Sequence, residues 1–384
     1  NNIGQLLSQR GAKKVLLHYG GQSAEKSGLL GRVRTSLKGA GIEFVELGGV
    51  HPNPRYSLAQ KGIELVRKEN VDLILAVGGG STLDSSKCIA VGALHDGDVW
   101  QDKYIDKQPV TQALPVACIL TIAAAGSEGS YSSVITNEEA GIKEGIRSDL
   151  IRPVLAVMNP ELTMTLPAYQ TACGVTDMFI HLTERYFTNT KDVNITDELT
   201  EGFMRTILKY GIVCVKEPDN YNARAQIMWA GTLAHNDLCG VGREQDWTSH
   251  HIQRRIGAKY DSAHGAGLAT IFPVWPQYVY KHDVPRFVRF ATKVMGVDND
   301  VFHPEEVALE GIRRIKAYFA SLGMPTTLSE LGVKDEDMKI VFALGTHRAM
   351  THEEMVEGVG ENVASRLKMY NSICTNDDDF EYFG

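Results

Sequence analysis

Metal-binding residue types stand at regular spacings in the second half of the chain. Asp177 and His181 are four residues apart, so on a helix they lie on one face and can hold one cation together. Two imidazoles from His250, His251 and His264 would complete a set of one carboxylate and three nitrogens. Such a set suits Zn²⁺ or Fe²⁺ and leaves a position open for a substrate oxygen. Because a carboxylate and a histidine at this spacing also occur by chance, an ordinary helix face is the alternative.

A glycine-rich turn in the first half indicates phosphate chemistry. The apolar run Leu73–Val77 leads directly into Gly78, Gly79, Gly80 and Ser81. A backbone without Cβ atoms can approach a pyrophosphate closely, and the start of the next helix offers unpaired N–H groups. The motif is neither G-x-G-x-x-G nor a Walker A loop, so a tight strand-to-helix turn remains the alternative.

The spacing of the polar residues in this turn predicts how the next helix begins. Ser81 and Asp84 have the S-x-x-D pattern of a capping box, in which two side chains satisfy backbone N–H groups of the first helical turn. We therefore expect both side chains to bond within the start of that helix.

A second glycine turn follows the first apolar run of the chain. Gly20, Gly21, Gln22 and Ser23 stand there, and two such turns at strand ends of one sheet suit a ligand with two phosphates. No Asp or Glu immediately follows that run, whereas the turn and Lys26 offer hydrogen-bond donors. We therefore expect a dinucleotide, with NADP(H) favoured over NAD(H). Lys26 as a solvated helix residue is the alternative.

The elements that would position these residues differ between the two halves of the chain. Short apolar runs rich in β-branched residues alternate with helical spacings over the first 160 residues, which predicts βαβ units and a mostly parallel sheet. The predicted strands contain Val15–Leu17, Ile42–Val45, Leu73–Val77, Val116–Leu120 and Val154–Val157.

Helical periodicity dominates after residue 160. It is clearest in four stretches, namely Tyr169–Phe187, Asp197–Val215, Tyr221–Leu238 and Val307–Leu322. We therefore expect a Rossmann-like α/β dinucleotide-binding domain over residues 1–159 and an all-α domain over residues 160–384.

Composition excludes several classes of function. The 384 residues contain 39 Lys plus Arg against 47 Asp plus Glu, a net charge of −8, which disfavours binding to nucleic acid. The longest nearly unbroken apolar stretch, Leu114–Ala125, is far shorter than the roughly 20 residues that span a bilayer. The six cysteines are widely spaced and form no C-x-x-C pair, which favours a reducing cytoplasm. The chain opens without Met, so we expect further residues before Asn1.

The motif set resembles the iron-containing (group III) alcohol dehydrogenases, specifically the branch of butanol dehydrogenases and NADPH-dependent aldehyde reductases. The resemblance covers nearly the whole chain and rests on the order and spacing of four segments: Gly78–Asp84, Thr121–Glu128, Asp177 with His181, and His250 with His264-Gly265. It implies a homodimeric oxidoreductase that transfers a hydride between NADP(H) and a short- to medium-chain alcohol/aldehyde pair.

The resemblance also implies roles for individual residues. It makes Asp177, His181, His250 and His264 the ligands of one divalent metal ion in a cleft between the two domains. The implied cofactor positions are Gly20, Gly21, Gln22, Ser23, Asn53, Gly78, Gly79, Gly80, Ser81, Asp84, Thr121 and Lys143. Ala125 and Ser130 stand at further cofactor positions where the family commonly has threonine and asparagine, which predicts weaker cofactor binding.

One departure from the family pattern concerns catalysis. Arg254 occupies the position, one turn after His250, where the family usually carries another histidine near the nicotinamide. Arginine stays protonated and cannot relay a proton. It either weakens metal binding, or stabilises an alkoxide and attracts acidic substrates, or turns outward with little effect.

Two other functions remain open. A nucleotide-binding paralogue whose catalysis is impaired by Arg254 would keep the glycine turns without turnover. A metal- and NAD-dependent lyase similar to dehydroquinate synthase would share the architecture, but it should carry a basic cluster for a phosphorylated acid. Here only Arg254 and Arg255 are adjacent to the histidine segment.

Overall fold

The computed structural model describes residues 2–334. Two compact units divide the described residues, one comprising residues 2–166 with Gly231–Asp237 and the other comprising Pro167–Ala230 with residues 238–334. The strands are β1 (Lys14–Tyr19), β2 (Glu43–Leu47), β3 (Leu73–Gly78), β4 (Val116–Leu120), β5 (Ser132–Asn137), β6 (Ile142–Arg147) and β7 (Leu155–Val157).

Helices alternate with the strands in the first part of the chain, and only helices follow the last strand in the described residues. The first five are α1 (Ile3–Ser8), α2 (Ser23–Lys26), α3 (Leu29–Gly39), α4 (Tyr56–Glu69) and α5 (Gly80–Ala93), and a π-helical turn spans Trp100–Ile105. The later helices are α6 (Ala168–Tyr186), α7 (Asn194–Lys216), α8 (Tyr221–His235), α9 (Thr248–Tyr260), α10 (His264–Ile271), α11 (Val274–Val279), α12 (Val284–Lys293) and α13 (Pro304–Ser321).

A parallel five-stranded sheet with the order β2-β1-β3-β4-β7 forms the first unit. The chain order reverses between β1 and β3, whose ends are paired through Tyr19 and Val77. Ligands of open α/β sheets bind outside the carboxyl ends of the strands at such a reversal. This topology therefore brings the two predicted glycine turns to one edge of the sheet.

Helices cover both faces of this sheet. Alternate strand residues point to opposite faces. Leu16 and Ile74 pack with Ile63 of α4 and Ile89 of α5. Leu17 and Leu75 on the other face pack with residues of α3, including Leu30 and Val33. Burial on both faces explains why β3 is a continuous apolar run rather than an alternating one.

The second unit is helical throughout its described residues. Helix α6 is buried around most of its circumference, as expected of a helix at the centre of a core. Phe179 of α6 meets Phe290 of α12 and Phe319 of α13 edge to face, at centroid distances of 6.5 and 6.1 Å. The α/β plus all-α fold class predicted from the sequence is confirmed. None of the described helices is long and apolar enough to cross a membrane.

Two local features differ from the sequence analysis. The antiparallel pair β5–β6 was not predicted, because its strands contain several polar residues and include Gly145 within β6. The capping box is also wrong, since α5 begins directly after Gly79 and its cap uses no side chain. Ser81 instead lies within the first turn of α5. The Asp84 side chain does not bond to the start of the helix. It accepts hydrogen bonds from Ser127 and Val134.

A buried histidine in β1 predicts acid sensitivity of the first unit. His18 is fully buried, donates from Nδ1 to the carbonyl of Leu47 at 2.7 Å, and accepts at Nε2 from Ser85 Oγ at 2.9 Å. Burial lowers the pKa of His18 to about 4, although the bond to Leu47 opposes the shift. The unfolded chain therefore binds the proton between pH 6.5 and 4 while the folded chain does not.

Stability is accordingly expected to fall as the pH drops through this window, by up to about 3 kcal/mol for this group. The urea midpoint of the wild type should decrease more steeply between pH 7 and pH 4.5 than that of a His18→Gln variant, which keeps polar atoms but cannot titrate. Parallel profiles of the two proteins would show that His18 is not the responsible group.

Candidate active site

Helix α6 presents the first two candidate metal ligands. Asp177 and His181 lie one turn apart in the buried middle of this helix, and the Asp177 Oδ1 to His181 Nε2 distance is 3.5 Å. Both side chains are almost completely buried. The sequence spacing therefore places them on one face, as predicted.

The other two candidate ligands come from α9 and α10. His250 lies in the first turn of α9, and the Asp246 carboxylate, two residues before this helix, accepts the N–H of Thr248 at 2.7 Å. His264 is the first residue of α10. The Nε2 atoms of His250 and His264 lie 3.6 and 3.5 Å from Asp177 Oδ1.

One carboxylate oxygen thus faces three imidazole nitrogens at nearly equal distances. Among the described residues, Asp177 Oδ1 and His250 Nε2 are buried without a hydrogen-bond partner. Buried polar atoms are normally paired, so unpaired atoms aimed at one point indicate a missing ligand. Three neutral nitrogens and one carboxylate are a donor set for Zn²⁺ or Fe²⁺. The four side chains therefore fit a divalent ion.

Close packing of α10 against α6 fixes the position of His264. A Cβ atom at Gly265 would overlap the backbone carbonyl of Cys173, one turn before Asp177 on α6. Only a glycine permits this approach, which brings the first residue of α10 beside the carboxylate.

Glu184 orients one of the three imidazoles. Its Oε1 accepts the backbone N–H of His250 at 3.1 Å, and its Oε2 accepts the proton of His250 Nδ1. A carboxylate can only accept here, so Nδ1 carries the proton and the lone pair of Nε2 faces Asp177. Gln253 does the same for His264, whose Nδ1 bonds to the Gln253 amide oxygen.

Aromatic contacts hold the remaining imidazole. The His181 ring stacks on the His250 ring at a centroid distance of 4.7 Å, and Trp247 meets both rings edge-on. The guanidinium of Arg185, itself buried, lies over the Trp247 ring at 4.6 Å. The histidine rings therefore have little freedom to rotate away from Asp177.

Electrostatics favour the ionised form of Asp177 and the neutral form of His181, whereas the carboxylates beside His250 favour its protonated form until a cation replaces the proton. Burial alone would raise the pKa of Asp177, but the surrounding imidazoles hold it well below its usual range. Burial lowers the pKa of His181 far below its ordinary value. Burial would also lower the pKa of His250, but the Glu184 carboxylate outweighs it and raises that pKa. Asp177 is thus ionised and His181 neutral, as metal ligands must be.

The two neighbouring residues that sequence reasoning weighed lie on the same helix. His251 is exposed on α9, so the structure selects His250 over His251 for the cluster. Arg254 is half-buried on α9, one turn after His250.

The two glycine turns lie together at the carboxyl edge of the sheet, as predicted. A Cβ atom at Gly21 would meet nothing within 4 Å, and one at Gly20 would make only ordinary contacts, the nearest at 3.6 Å. Packing therefore does not require glycine there, and the open space suits a ligand. Gln22 and Ser23 are exposed at the same turn.

Packing does require glycine in the second turn. A Cβ at Gly78 would overlap Thr82, one at Gly79 would lie 3.1 Å from Ile122, and one at Gly80 would lie 2.9 Å from the Ala125 Cβ. Thr121 donates its N–H to the carbonyl of Gly78 at 3.0 Å. Thr121 and Ala125 therefore border the turn that contains Gly78–Ser81.

Asn53 and Lys143 form a buried pair. Lys143 Nζ of β6 donates to Asn53 Oδ1 at 2.7 Å, and Asn53 has a positive φ of 54°. Asn53 follows Val50, whose carbonyl is 3.6 Å from a Cβ built on Gly20. The pair thus lies near the first glycine turn.

Asp84 and Ser130, two further predicted cofactor positions, have partners within the protein. Asp84 accepts from Ser127 Oγ at 2.7 Å and from the Val134 N–H at 3.0 Å. Ser130 is buried, with its Oγ 3.3 Å from Lys87 Nζ. Both side chains shape the backbone around the turn.

Sequence reasoning did not identify Glu184, Gln253 or Lys87. The signal for the first two was their spacing, because each stands three residues after a candidate ligand, Glu184 after His181 and Gln253 after His250. Residues three apart share a helix face.

An α/β unit with two glycine turns and a helical unit with an Asp/His₃ cluster are features of metal-dependent dehydrogenases. The model of the family "Iron-containing alcohol dehydrogenase" matches residues 1–160, and that of "Fe-containing alcohol dehydrogenase family, C-terminal" matches residues 171–370. The chain belongs to the iron-containing alcohol dehydrogenase family.

Relatives that match nearly the full length of the chain indicate which activity within the family it has. The chain is 38% identical to NADH-dependent butanol dehydrogenase A of Clostridium acetobutylicum, covering 92% of this chain and 93% of the relative. It is 35% identical to the NADPH-dependent aldehyde reductase YqhD of Escherichia coli, covering 91% and 88% respectively. Both comparisons agree with the branch expected from the sequence.

Solved structures give the same result. The crystal structure of NADH-dependent butanol dehydrogenase A from Thermotoga maritima has a TM-score of 0.88 at 37% identity, covering 96% of this chain and 94% of that one. A structure of Escherichia coli YqhD has a TM-score of 0.87 at 32% identity, with coverages of 97% and 94%. The protein is therefore an oxidoreductase acting on an alcohol/aldehyde pair, with NAD(P)(H) and a divalent metal as the family's cofactors.

Proposed function

We propose that this enzyme works mainly as an NADP(H)-dependent reductase of short- to medium-chain aldehydes, with Asp177, His181, His250 and His264 as the metal ligands. The observation that carries the proposal is the approach of three Nε2 atoms to one Asp177 oxygen, at 3.5 to 3.6 Å. Residues 1–159 would bind the dinucleotide and residues 160–384 the metal.

The chain's own residues would supply positioning and charge. When bound, the metal ion would polarise the substrate oxygen and the nicotinamide would carry the hydride. Asp177 contributes the negative charge that offsets a buried dication, and Glu184 and Gln253 keep two imidazoles in the correct tautomer. The turns at Gly20–Ser23 and Gly78–Ser81 would hold the two phosphates through backbone N–H groups.

The preference for NADP(H) rests on the first turn. Gly21, Gln22 and Ser23 are exposed there, and no carboxylate in the turn itself would repel a 2′-phosphate. The relatives include enzymes named for NADH and for NADPH, so family membership does not decide the choice, and the composition of this turn is what supports NADP(H).

A metal-dependence assay tests the function directly. We expect the purified enzyme to contain about one divalent ion per chain, to reduce aldehydes with a higher kcat/KM for NADPH than for NADH, and to lose turnover with a chelator. Restoring Fe²⁺ or Zn²⁺ to the stripped enzyme should restore activity and is the control. Full turnover by metal-free enzyme would refute the metal site, and a preference for NADH would refute only the choice of dinucleotide.

Arg254 supports a second candidate, a paralogue that binds nucleotide with impaired turnover. Its fixed positive charge lies one turn from His250, and a dication bound there would be repelled. The same assay on an Arg254→His variant separates the possibilities. Higher metal content and rate in the variant support impairment, a loss of rate on acidic aldehydes alone supports a role in substrate binding, and no change leaves Arg254 without a role in the reaction.

We further propose that the enzyme is a homodimer in the cytoplasm, without nucleic acid or membrane partners. The resemblance supports the dimer, and the buried thiols of Cys88, Cys118 and Cys214 suit a reducing compartment. A mass in solution near that of one 42.2 kDa chain would rule out the dimer.

A further inference from the structure

A fully buried lysine lies at the centre of the first unit. Lys87 is on the second turn of α5, and its side chain is completely excluded from solvent. Its Nζ lies 2.8, 3.0 and 2.9 Å from the carbonyl oxygens of Ser127, Ser130 and Ser132. The hydroxyls of Ser127 and Ser130 are 2.9 and 3.3 Å away. Three N–H bonds thus face five oxygens, all from one short segment.

A carboxylate on the same helix binds the same segment. Asp84, one turn before Lys87, accepts from Ser127 Oγ at 2.7 Å and from the Val134 N–H at 3.0 Å. Ser127 therefore links the ammonium to the carboxylate. Two charged residues of α5 together hold residues 127–134.

This segment continues the proposed cofactor site. Its first residue, Ser127, stands two residues after Ala125, which together with Thr121 borders the second glycine turn, and the segment includes Ser130. The opposite side of the segment is held by Arg152, whose Nη1 donates to the carbonyl of Gly129 at 2.6 Å. The helix that begins at the glycine turn and the segment beside that turn are therefore joined by the side chains of Lys87 and Asp84.

We propose that Lys87 is a positioning residue for the dinucleotide, because its ammonium holds residues 127–132, the continuation of the chain after Thr121 and Ala125, at the spacing from the Gly78–Ser81 turn that the diphosphate requires. It acts through Ser127, Ser130 and Ser132 rather than by contact with the ligand. The inference rests on the proposed dinucleotide site. Lys87 is assigned no role in metal binding or in substrate binding.

The charge of Lys87 gives the proposal a pH dependence. Burial lowers the pKa of Lys87 to about 8, against the opposing attraction of Asp84, Cys118 and Glu128, while Arg152 adds to the decrease. The neutral amine would have only two N–H bonds for five oxygens, and its lone pair would face them. The segment should therefore loosen as the pH rises above about 8.

The test compares two buried lysines of the same unit. Lys87→Met removes the ammonium. Lys103→Met is the matched control, since Lys103 is also buried and donates to the carbonyl of Pro109 at 3.0 Å, on the π-helical turn. At pH 7 we expect the Kd of NADPH, measured by fluorescence titration, to rise about tenfold in Lys87→Met and to stay unchanged in Lys103→Met. The KM for NADPH should follow the Kd, with kcat at saturation and metal content near wild type.

The outcomes separate this inference from the proposed function. If wild-type enzyme binds neither NADPH nor NADH, the dinucleotide site itself fails. If wild type binds and folded Lys87→Met binds equally well, or if kcat and metal content fall while the Kd is unchanged, the role of Lys87 fails.

Two readouts do not depend on the folding of Lys87→Met. The wild-type Kd should increase between pH 7 and pH 9.5, whereas a pH-independent Kd would contradict the proposal. Ser127→Ala removes the hydroxyl that joins Lys87 to Asp84 and should raise the Kd severalfold at pH 7. An unchanged Kd in this variant would also count against the proposal.

Discussion

Replacing His264 by alanine is expected to abolish turnover while leaving dinucleotide binding intact. His264 is the single candidate ligand on α10, and its Nε2 lies 3.5 Å from Asp177 Oδ1. Its loss leaves three ligands, so the ion is bound more weakly and held less rigidly. Polarisation of the substrate oxygen by a metal contributes several kcal/mol to transition-state stabilisation, so kcat/KM should fall by roughly a thousandfold or more.

The matched control for His264 is His251. His251→Ala removes an exposed imidazole next to His250 that is not one of the four proposed ligands, so its kinetics should equal those of wild type. Titration with NADPH should give the same Kd for both variants, because the glycine turns lie in the other unit. Substantial turnover by His264→Ala would show that His264 is not a ligand needed for the reaction.

The second large expected effect is a loss of metal affinity on replacing Glu184, a residue outside the proposed ligand set. Removing Glu184 by Glu184→Leu should weaken metal binding by about tenfold to a hundredfold. Glu184 holds both the backbone N–H and the ring Nδ1 of His250, and it bridges α6 to α9. Without it, the buried Nδ1–H loses its acceptor and the ring loses its fixed tautomer. Chelator competition measures the metal affinity directly, independently of catalysis.

A graded substitution separates charge from geometry at this position. Glu184→Gln keeps an oxygen that can accept from Nδ1 but removes the negative charge near the dication. An affinity between those of wild type and Glu184→Leu is expected. If Glu184→Leu binds metal as tightly as wild type, the carboxylate has no role in the site, and folding of each variant is checked by circular dichroism.

The sequence was sufficient to predict the fold class, because its periodicities are strong. The continuous apolar run Leu73–Val77 became the central strand β3, and the long 3.6-residue pattern at Tyr169–Phe187 became α6. The β5–β6 pair was missed because strands such as Ile142–Arg147 contain charged residues and a glycine. Their extended form comes from mutual pairing, which a local pattern does not encode.

The candidate site was predictable only in part. Spacing placed Asp177 and His181 on one face, but the convergence with His264 depends on how three helices pack, and that is tertiary information. The capping box failed at Asp84 because a tertiary partner, the Ser127 hydroxyl, competes for the carboxylate. Lys87 was passed over for a similar reason, since nothing in the sequence distinguishes a buried lysine from a solvated one.

Gly265 shows how narrow the tolerance of the metal cluster is. Coordination distances must hold to within about 0.2 Å. Any side chain at residue 265 would have to push α10 away from the Cys173 carbonyl by far more than this margin. The proposed fourth ligand, His264, would then be displaced although its imidazole was still present. A hydrogen atom in place of a methyl group at residue 265 is therefore as necessary to the proposed coordination sphere as the histidine beside it.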